Sequence, residues 1–162
     1  MSFELPYGTY DSTIDEKGRV IIPAPLRERY KGELVITQGT QHCVWVMLPE
    51  IWTKFLEKLE NSDEKVVDPE LYELLQYNYV IPARVTEIDK ATGRIPIAPK
   101  IRAYAGLSNK KCLVMSAENR LEIWDNEFHD NYLKENQELM REAKKKIGTR
   151  FFKFGAGEGI LQ

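Results

Sequence analysis

Two short segments of the chain repeat the same polar residues at nearly the same spacing. In each, an aspartate precedes a glycine and an arginine follows directly: Asp15, Gly18 and Arg19 in the first, Asp89, Gly93 and Arg94 in the second. Glycine permits a tight turn, while aspartate accepts hydrogen bonds from turn amides or pairs with arginine. Alone, this pattern is typical of a structural turn. Its duplication with the arginine kept beside the glycine favours a binding role.

Further basic residues accompany both segments. Guanidinium and ammonium groups bind phosphates, and the arginine fork also matches the acceptor pair on guanine. The sequence therefore predicts a DNA-binding surface. Its predicted members are Asp15, Lys17, Gly18, Arg19, Arg27, Asp89, Lys90, Gly93, Arg94, Lys100 and Arg102.

The elements that position these residues also come in two sets. Each set consists of a predicted strand, a short helical turn and a pair of strands. In the first half these are 20–22, 23–30, and 34–37 with 44–47; in the second they are 95–97, 98–105, and 113–116 with 121–124. Gly39 and Asn119 suit the positive φ of hairpin turns. Pro96 should lie at a strand end or sheet edge, since it has no amide hydrogen to donate.

Helical periodicity follows each strand pair. It predicts one helix over 49–59, a second capped by Asp68, and a longer one from Asp125 to about Ile147. Strand pairs this short are unstable alone, so we expect the halves to complete one sheet or barrel together. The predicted fold class is α+β, with a pseudo-two-fold duplicated core and peripheral helices. The predicted domains are 7–80, 81–147 and a flexible basic, aromatic and glycine-rich tail over 148–162.

Composition limits the possible functions. The 162 residues include 30% charged and 43% hydrophobic residues, with a net charge of −2. Binding to nucleic acid would therefore need a local basic patch, or many copies of one. We expect neither a secretory signal nor a membrane span. Cys43 and Cys112 are expected to be buried, reduced thiols of a cytoplasmic protein.

The residue types that catalysis requires are sparse. His42 and His129 are far apart in the sequence, and His42 beside Cys43 lacks further zinc-ligand spacing. Trp45, Trp52 and Trp124 are expected in the core or in subunit contacts. We therefore expect a protein that is not an enzyme and that has no cofactor and no metal site.

The sequence resembles the MraZ family of bacterial transcriptional regulators, in the AbrB-like swapped-hairpin group. The resemblance spans about residues 7–140. It is carried in the first half by residues 15–19, 20–23, Leu26 and Arg27. In the second half it is carried by Gly93, Arg94, 97–99, Ile101, Arg102, 105–107 and 122–124.

This resemblance implies a β-barrel-like core of two swapped-hairpin repeats. It also implies that the Asp-x-x-x-Arg motif of each repeat contacts double-stranded DNA. Members form ring-shaped homo-oligomers, such as an octamer-like ring. They bind repeated promoter boxes ahead of the division and cell-wall gene cluster, so nucleoid association is expected.

Three questions stay open in the sequence. Asp89 precedes Arg94 by five residues whereas Asp15 precedes Arg19 by four, which predicts a larger second loop or a differently placed Asp89. The basic segment 144–153 suits a helix end, or an arm contacting DNA phosphates or RNA polymerase. The acidic balance and long helices also suit an oligomeric protein-binding adaptor without DNA binding.

Overall fold

The computed structural model describes residues 8–108 and 110–151. Its first half contains β1 (Gly8–Thr13), β2 (Arg19–Ile21), α1 (Ala24–Arg27), β3 (Leu34–Gln38), β4 (Val44–Met47), α2 (Pro49–Glu60), α3 (Glu64–Val67) and α4 (Pro69–Tyr79). Its second half contains β5 (Arg84–Thr86), β6 (Arg94–Pro96), α5 (Pro99–Tyr104), β7 (Lys111–Ser116), β8 (Leu121–Asp125), α6 (Asn126–Glu135), α7 (Gln137–Ala143), a π-helical turn (Lys144–Gly148) and α8 (Thr149–Phe151). The expected mixture of α and β structure is confirmed.

The strands of the two halves interleave. Six strands form an antiparallel sheet in the order β1-β7-β8-β4-β3-β5, and β2 pairs with β6 in a separate two-stranded ribbon. The first strand of each half thus pairs with the third strand of the other half. The two fourth strands pair with each other, as do the two second strands. Neither half can satisfy its backbone hydrogen bonds without the other.

Buried aliphatic side chains from both halves form the core. Val20 and Ile95, which face each other across the ribbon, are fully buried. Tyr30 and Ile101 from the short helical segments are buried in the same cluster. Because strand side chains alternate between faces, burial of Val20 and Ile95 leaves their strand neighbours on the opposite face of the ribbon.

Several local predictions are confirmed. The Asp68 carboxylate accepts a hydrogen bond from the Leu71 amide at 3.0 Å, so Asp68 caps α4. The helical turns predicted at 23–30 and 98–105 appear as the shorter helices α1 and α5. Pro96 ends β6 in the two-stranded ribbon, as expected for a residue that cannot donate.

The long helix predicted from Asp125 is interrupted once, at Asn136, although the Asn136 backbone amide still donates to the Tyr132 carbonyl at 3.1 Å and the Met140 amide to the Asn136 carbonyl at 2.9 Å. Asp125 does accept a bond from the Phe128 amide at 3.1 Å, but α6 ends before Asn136. The Asn136 side-chain amide donates to the Tyr132 carbonyl at 2.8 Å, a side-chain bond of the kind that competes with helix geometry.

The predicted positive φ at Gly39 and Asn119 is wrong. Among the described residues, positive φ occurs only at glycines, and Gly39 is not one of them. A β-carbon at Gly39 would lie 2.7 Å from both the Cys43 sulfur and the Trp45 ring nitrogen. Glycine is needed at position 39 because of packing, not because of backbone conformation.

The chain divides into two compact units, one ending at Phe128 and one beginning at His129. The sheet and the ribbon both lie within the first. The domain division 7–80, 81–147 and 148–162 stays a prediction, and residues 152–162 of the predicted tail lie outside the described residues. Cys43 and Cys112 are buried and unbonded to each other, as expected. Over the described ranges, no helix has the length and apolar character needed to cross a bilayer.

Candidate nucleic-acid interface

The first turn is organised around the carboxylate of Asp15. One oxygen accepts hydrogen bonds from the backbone amides of Lys17 and Arg19, at 3.0 and 2.9 Å. The other oxygen contacts Nε and Nη2 of the Arg19 guanidinium, both at 2.8 Å. Gly18 completes the turn with a φ of +77°, a conformation that favours glycine. Asp15 therefore fixes both the turn and the side chain of the arginine that follows it.

These contacts favour the charged form of the Asp15 carboxylate. The hydrogen bond from the Arg19 amide contributes most to lowering the pKa of Asp15, against an opposing effect of desolvation. The Arg19 guanidinium lowers this pKa further. Asp15 is thus ionised at neutral pH and able to hold a cation beside it.

The second turn is built differently, and the additional residue is the reason. One oxygen of the Asp89 carboxylate accepts the amides of Ala91 and Thr92, at 2.8 and 2.9 Å. The Arg94 amide donates instead to the Thr92 hydroxyl at 3.3 Å. The backbone bonds from Thr92 and then Ala91 lower the pKa of Asp89, and the charge of Arg19 adds to the shift. Asp89 thus stabilises its loop, while the Thr92 hydroxyl accepts the hydrogen bond from the Arg94 amide.

The ribbon brings the two arginines together. In its register Arg19 lies opposite Pro96, and Ile21 lies opposite Arg94. Both arginines lie on the face away from buried Val20, and their side chains are 40% and 33% exposed. Arg94 Nε lies 3.8 Å from the Asp15 carboxylate, so one aspartate is shared by both arginines. Two partly exposed guanidinium groups therefore lie side by side around one buttressing carboxylate.

The turns are joined by reciprocal contacts between the halves. The Ile22 amide donates to the Gly93 carbonyl at 2.8 Å, and the Ile97 amide donates to the Gly18 carbonyl at 2.9 Å. The guanidinium of Arg102 occupies the space that a β-carbon on Gly18 would need. The guanidinium of Arg27 does the same at Gly93. Each predicted arginine beyond the turn thus lies against the turn of the opposite half.

The three predicted lysines, Lys17, Lys90 and Lys100, are exposed. A groove of about 460 Å³ lies beside the two arginines. Besides Arg19 and Arg94 it is lined by Glu87, Ile88, Asp89, Lys90, Thr92 and Pro96. Thr92 and Glu87 were not among the predicted site residues. The position of Thr92 directly before the glycine and arginine could have suggested its role.

The remaining candidates have structural partners. Trp45 stacks on Tyr79 with ring centroids 5.5 Å apart, and the Arg120 guanidinium lies 4.7 Å from the Trp45 ring. His42 packs on Tyr104 at 4.8 Å in an exposed loop. Within the described ranges, no three His, Cys, Asp or Glu side chains are grouped so as to hold a metal ion.

Comparison with known proteins identifies the family. The family model described as "MraZ protein, putative antitoxin-like" matches residues 6–70 and 81–151. Transcriptional regulator MraZ of Treponema denticola is 36% identical over 146 residues, covering 87% of this chain and 96% of that protein. Proteins of the same name from Thermus thermophilus and a Parafrankia species are 36% and 33% identical, covering 76% and 86% of this chain and 83% and 94% of theirs. The chain belongs to the MraZ family.

Proposed function

We propose that the protein is a sequence-specific DNA-binding transcriptional regulator whose ribbon of β2 and β6 carries the DNA contacts. The observation behind this proposal is the pair of outward guanidinium groups, Arg19 and Arg94, around the carboxylate of Asp15. The name of these relatives, transcriptional regulator MraZ, supports the regulatory role.

The two-stranded form of the ribbon suits the major groove, which admits such an element. Arginine can form two parallel bonds to the acceptor pair of guanine, so Arg19 and Arg94 read bases in this proposal. Asp15 holds Nε and Nη2 of Arg19, which restricts the guanidinium before DNA arrives. Less conformational entropy is then lost on binding. Lys17, Lys90 and Lys100 are assigned to phosphates, where a point charge is sufficient.

The interleaved strand order supports a duplicated swapped-hairpin core with a barrel-like closure, and the two segments matched by the family model agree with it. The net charge of −2 is compatible with DNA binding if several subunits present their ribbons together. A ring-shaped homo-oligomer would do so, because linked weak contacts gain effective concentration on repeated sites. We propose that its target is a set of repeated promoter boxes ahead of division and cell-wall genes, and that the protein is nucleoid-associated.

The test is fluorescence anisotropy with DNA from directly upstream of the gene, compared with a version whose repeats are scrambled. Binding should prefer the repeated boxes and weaken steeply with salt, because phosphate contacts release counterions. Arg19→Ala should remove the preference while the oligomer persists. Lys58→Ala makes the same charge change on the exposed surface of α2 and should bind like the unchanged protein. Full box preference in the Arg19 variant would contradict the proposal.

A second candidate is an oligomeric protein-binding adaptor. Exposed apolar side chains on α4 and the segment after it favour protein contacts: Leu74 is 60% exposed, Tyr77 59%, Ile81 56% and Val85 69%. The same surface would serve assembly of the regulator. Absence of any binding to the upstream DNA at low salt, together with an intact oligomer, would favour the adaptor.

A further inference from the structure

We propose that Arg27 and Arg102 are positioning residues that act across the two halves. Arg102 of the second half sets the turn that presents Arg19, and Arg27 of the first half sets the turn that presents Arg94. This deepens the proposed function, on which it rests, because it assigns these two cations to the support of the DNA-contacting arginines and not to DNA itself.

The placement of Arg102 carries the first half of the inference. Its guanidinium nitrogens and central carbon fill the volume beside the Gly18 α-carbon. The Gly18 carbonyl accepts the Ile97 amide at 2.9 Å, from the strand end that leads into the helix of Arg102. The turn before Arg19 is therefore held by a backbone bond and by a flat cation, both from the second half.

The placement of Arg27 repeats the arrangement in the other direction. Its guanidinium fills the volume beside the Gly93 α-carbon. Arg27 Nε donates to the Ile22 carbonyl at 2.6 Å, and the Ile22 amide donates to the Gly93 carbonyl at 2.8 Å. Ile22 thus links the arginine to the turn it supports. Both arginines are only partly exposed, in contrast to the exposed Lys100 on the helix of Arg102.

Geometry explains why both positions pair an arginine with a glycine. Gly18 and Gly93 have φ of +77° and +70°, and neither has room for a side chain. The planar guanidinium fits the narrow space over a bare backbone, whereas the compact and strongly hydrated ammonium of lysine does not match it. Because each arginine contacts the turn of the opposite half, substitution of either one should change the conformation of a turn that is distant from it in sequence.

A double-mutant cycle on box DNA tests the inference. Arg102→Ala should weaken box binding about tenfold and add little once Arg19 is already alanine, because coupled residues are not additive. Its effect should add to that of Arg94→Ala more nearly than to that of Arg19→Ala, because Arg94 is linked to this turn only through the 3.8 Å contact with Asp15. Lys100→Ala, on the same helix, should add fully to Arg19→Ala. Full additivity of Arg102→Ala with Arg19→Ala would overturn the inference.

A measurement without DNA keeps this result separate from the fate of the proposed function. In ¹⁵N–¹H spectra of the free protein, Arg102→Ala should shift the amide signals of Gly18 and Arg19 more than those of Gly93 and Arg94. Arg27→Ala should give the opposite pattern. Shifts confined to the variant's own half would overturn the inference, even if the protein binds DNA. Failure of the unchanged protein to bind box DNA would instead contradict the proposed function.

The conservative variant Arg102→Lys guards against a folding defect in the alanine variant. Lysine keeps the charge but not the flat fork, so this variant should reproduce the shifts at Gly18 and Arg19 and lose box affinity. An Arg102→Lys protein with unchanged spectra and unchanged affinity would show a phosphate contact made by charge alone, and would overturn the inference.

Discussion

The two arginine-bearing turns differ in what their aspartates hold. Asp15 binds both the backbone and the guanidinium of Arg19. Asp89 binds loop amides, and Arg94 turns towards Asp15 of the other half. One additional residue is enough to move the aspartate out of reach of its own arginine. The two copies of the motif are therefore not equivalent. Asp15 restrains both arginines, and Arg94 is the less restrained of the two.

Alanine at the two glycines should break both turns and give the largest effects. Each glycine has a positive φ that costs an L-residue about 1–2 kcal/mol, and each new methyl group would displace an arginine of the opposite half. Gly18→Ala and Gly93→Ala should each lower the free energy of unfolding by at least that amount in denaturant titrations. Gly32→Ala is the matched control, since its φ is also +77° but a methyl group there would meet open space. Equal losses at all three glycines would show that the arginines add nothing.

Substitution of each aspartate by asparagine should distinguish the two turns. Asp15→Asn should loosen both Arg19 and Arg94, whereas Asp89→Asn should loosen its own loop and affect Arg19 only through the loss of a nearby charge. We expect the larger loss of box affinity from Asp15→Asn, measured by anisotropy at one fixed salt concentration. A larger loss from the Asp89 variant would reverse the assignment of the shared carboxylate.

Acid should have the same effect as the aspartate substitutions. The folded-state pKa values of Asp15 and Asp89 are lowered, so their stabilisation is present above the unfolded value of about 3.9 and is lost as the pH falls further. The difference in unfolding free energy between the unchanged protein and the Asp15→Asn variant should therefore stay constant at neutral pH and shrink below about pH 4. A difference that disappears near pH 6 would contradict the lowered pKa.

Thr92→Ala should give the smallest loss of stability, and its effect should be confined to the second turn. It removes a 3.3 Å bond to the Arg94 amide, which we expect to be worth about 0.5 kcal/mol. The amide signal of Arg94 should move while that of Arg19 stays in place. Movement of both signals would mean that the threonine supports the whole ribbon.

Much of the local structure could be predicted from the sequence because its causes are local. The cap at Asp68, the strand end at Pro96 and the glycine turns all depend on residues a few positions apart. The additional residue before Arg94 also predicted a differently placed Asp89. The break in the helix at Asn136 could not be predicted, because helical periodicity continues on both sides of it.

The cross-half contacts could not be predicted, because they depend on the strand order. Nothing near Gly18 in sequence indicates that Arg102 fills the space beside it, or that Arg94 approaches Asp15. Gly39 illustrates the same limit. Its sequence context suited a positive φ, but the Cys43 and Trp45 side chains are what exclude a larger residue there.

The most direct test of DNA binding through the ribbon compares two double variants on the same repeated-box DNA. Arg19→Ala with Arg94→Ala removes both ribbon cations, while Lys54→Ala with Lys58→Ala makes the same change in charge on the exposed surface of α2. Anisotropy titrations at one salt concentration should show the arginine double variant binding box DNA no better than scrambled DNA. The lysine double variant should keep the box preference of the unchanged protein. Retained box preference in the arginine double variant would contradict the account.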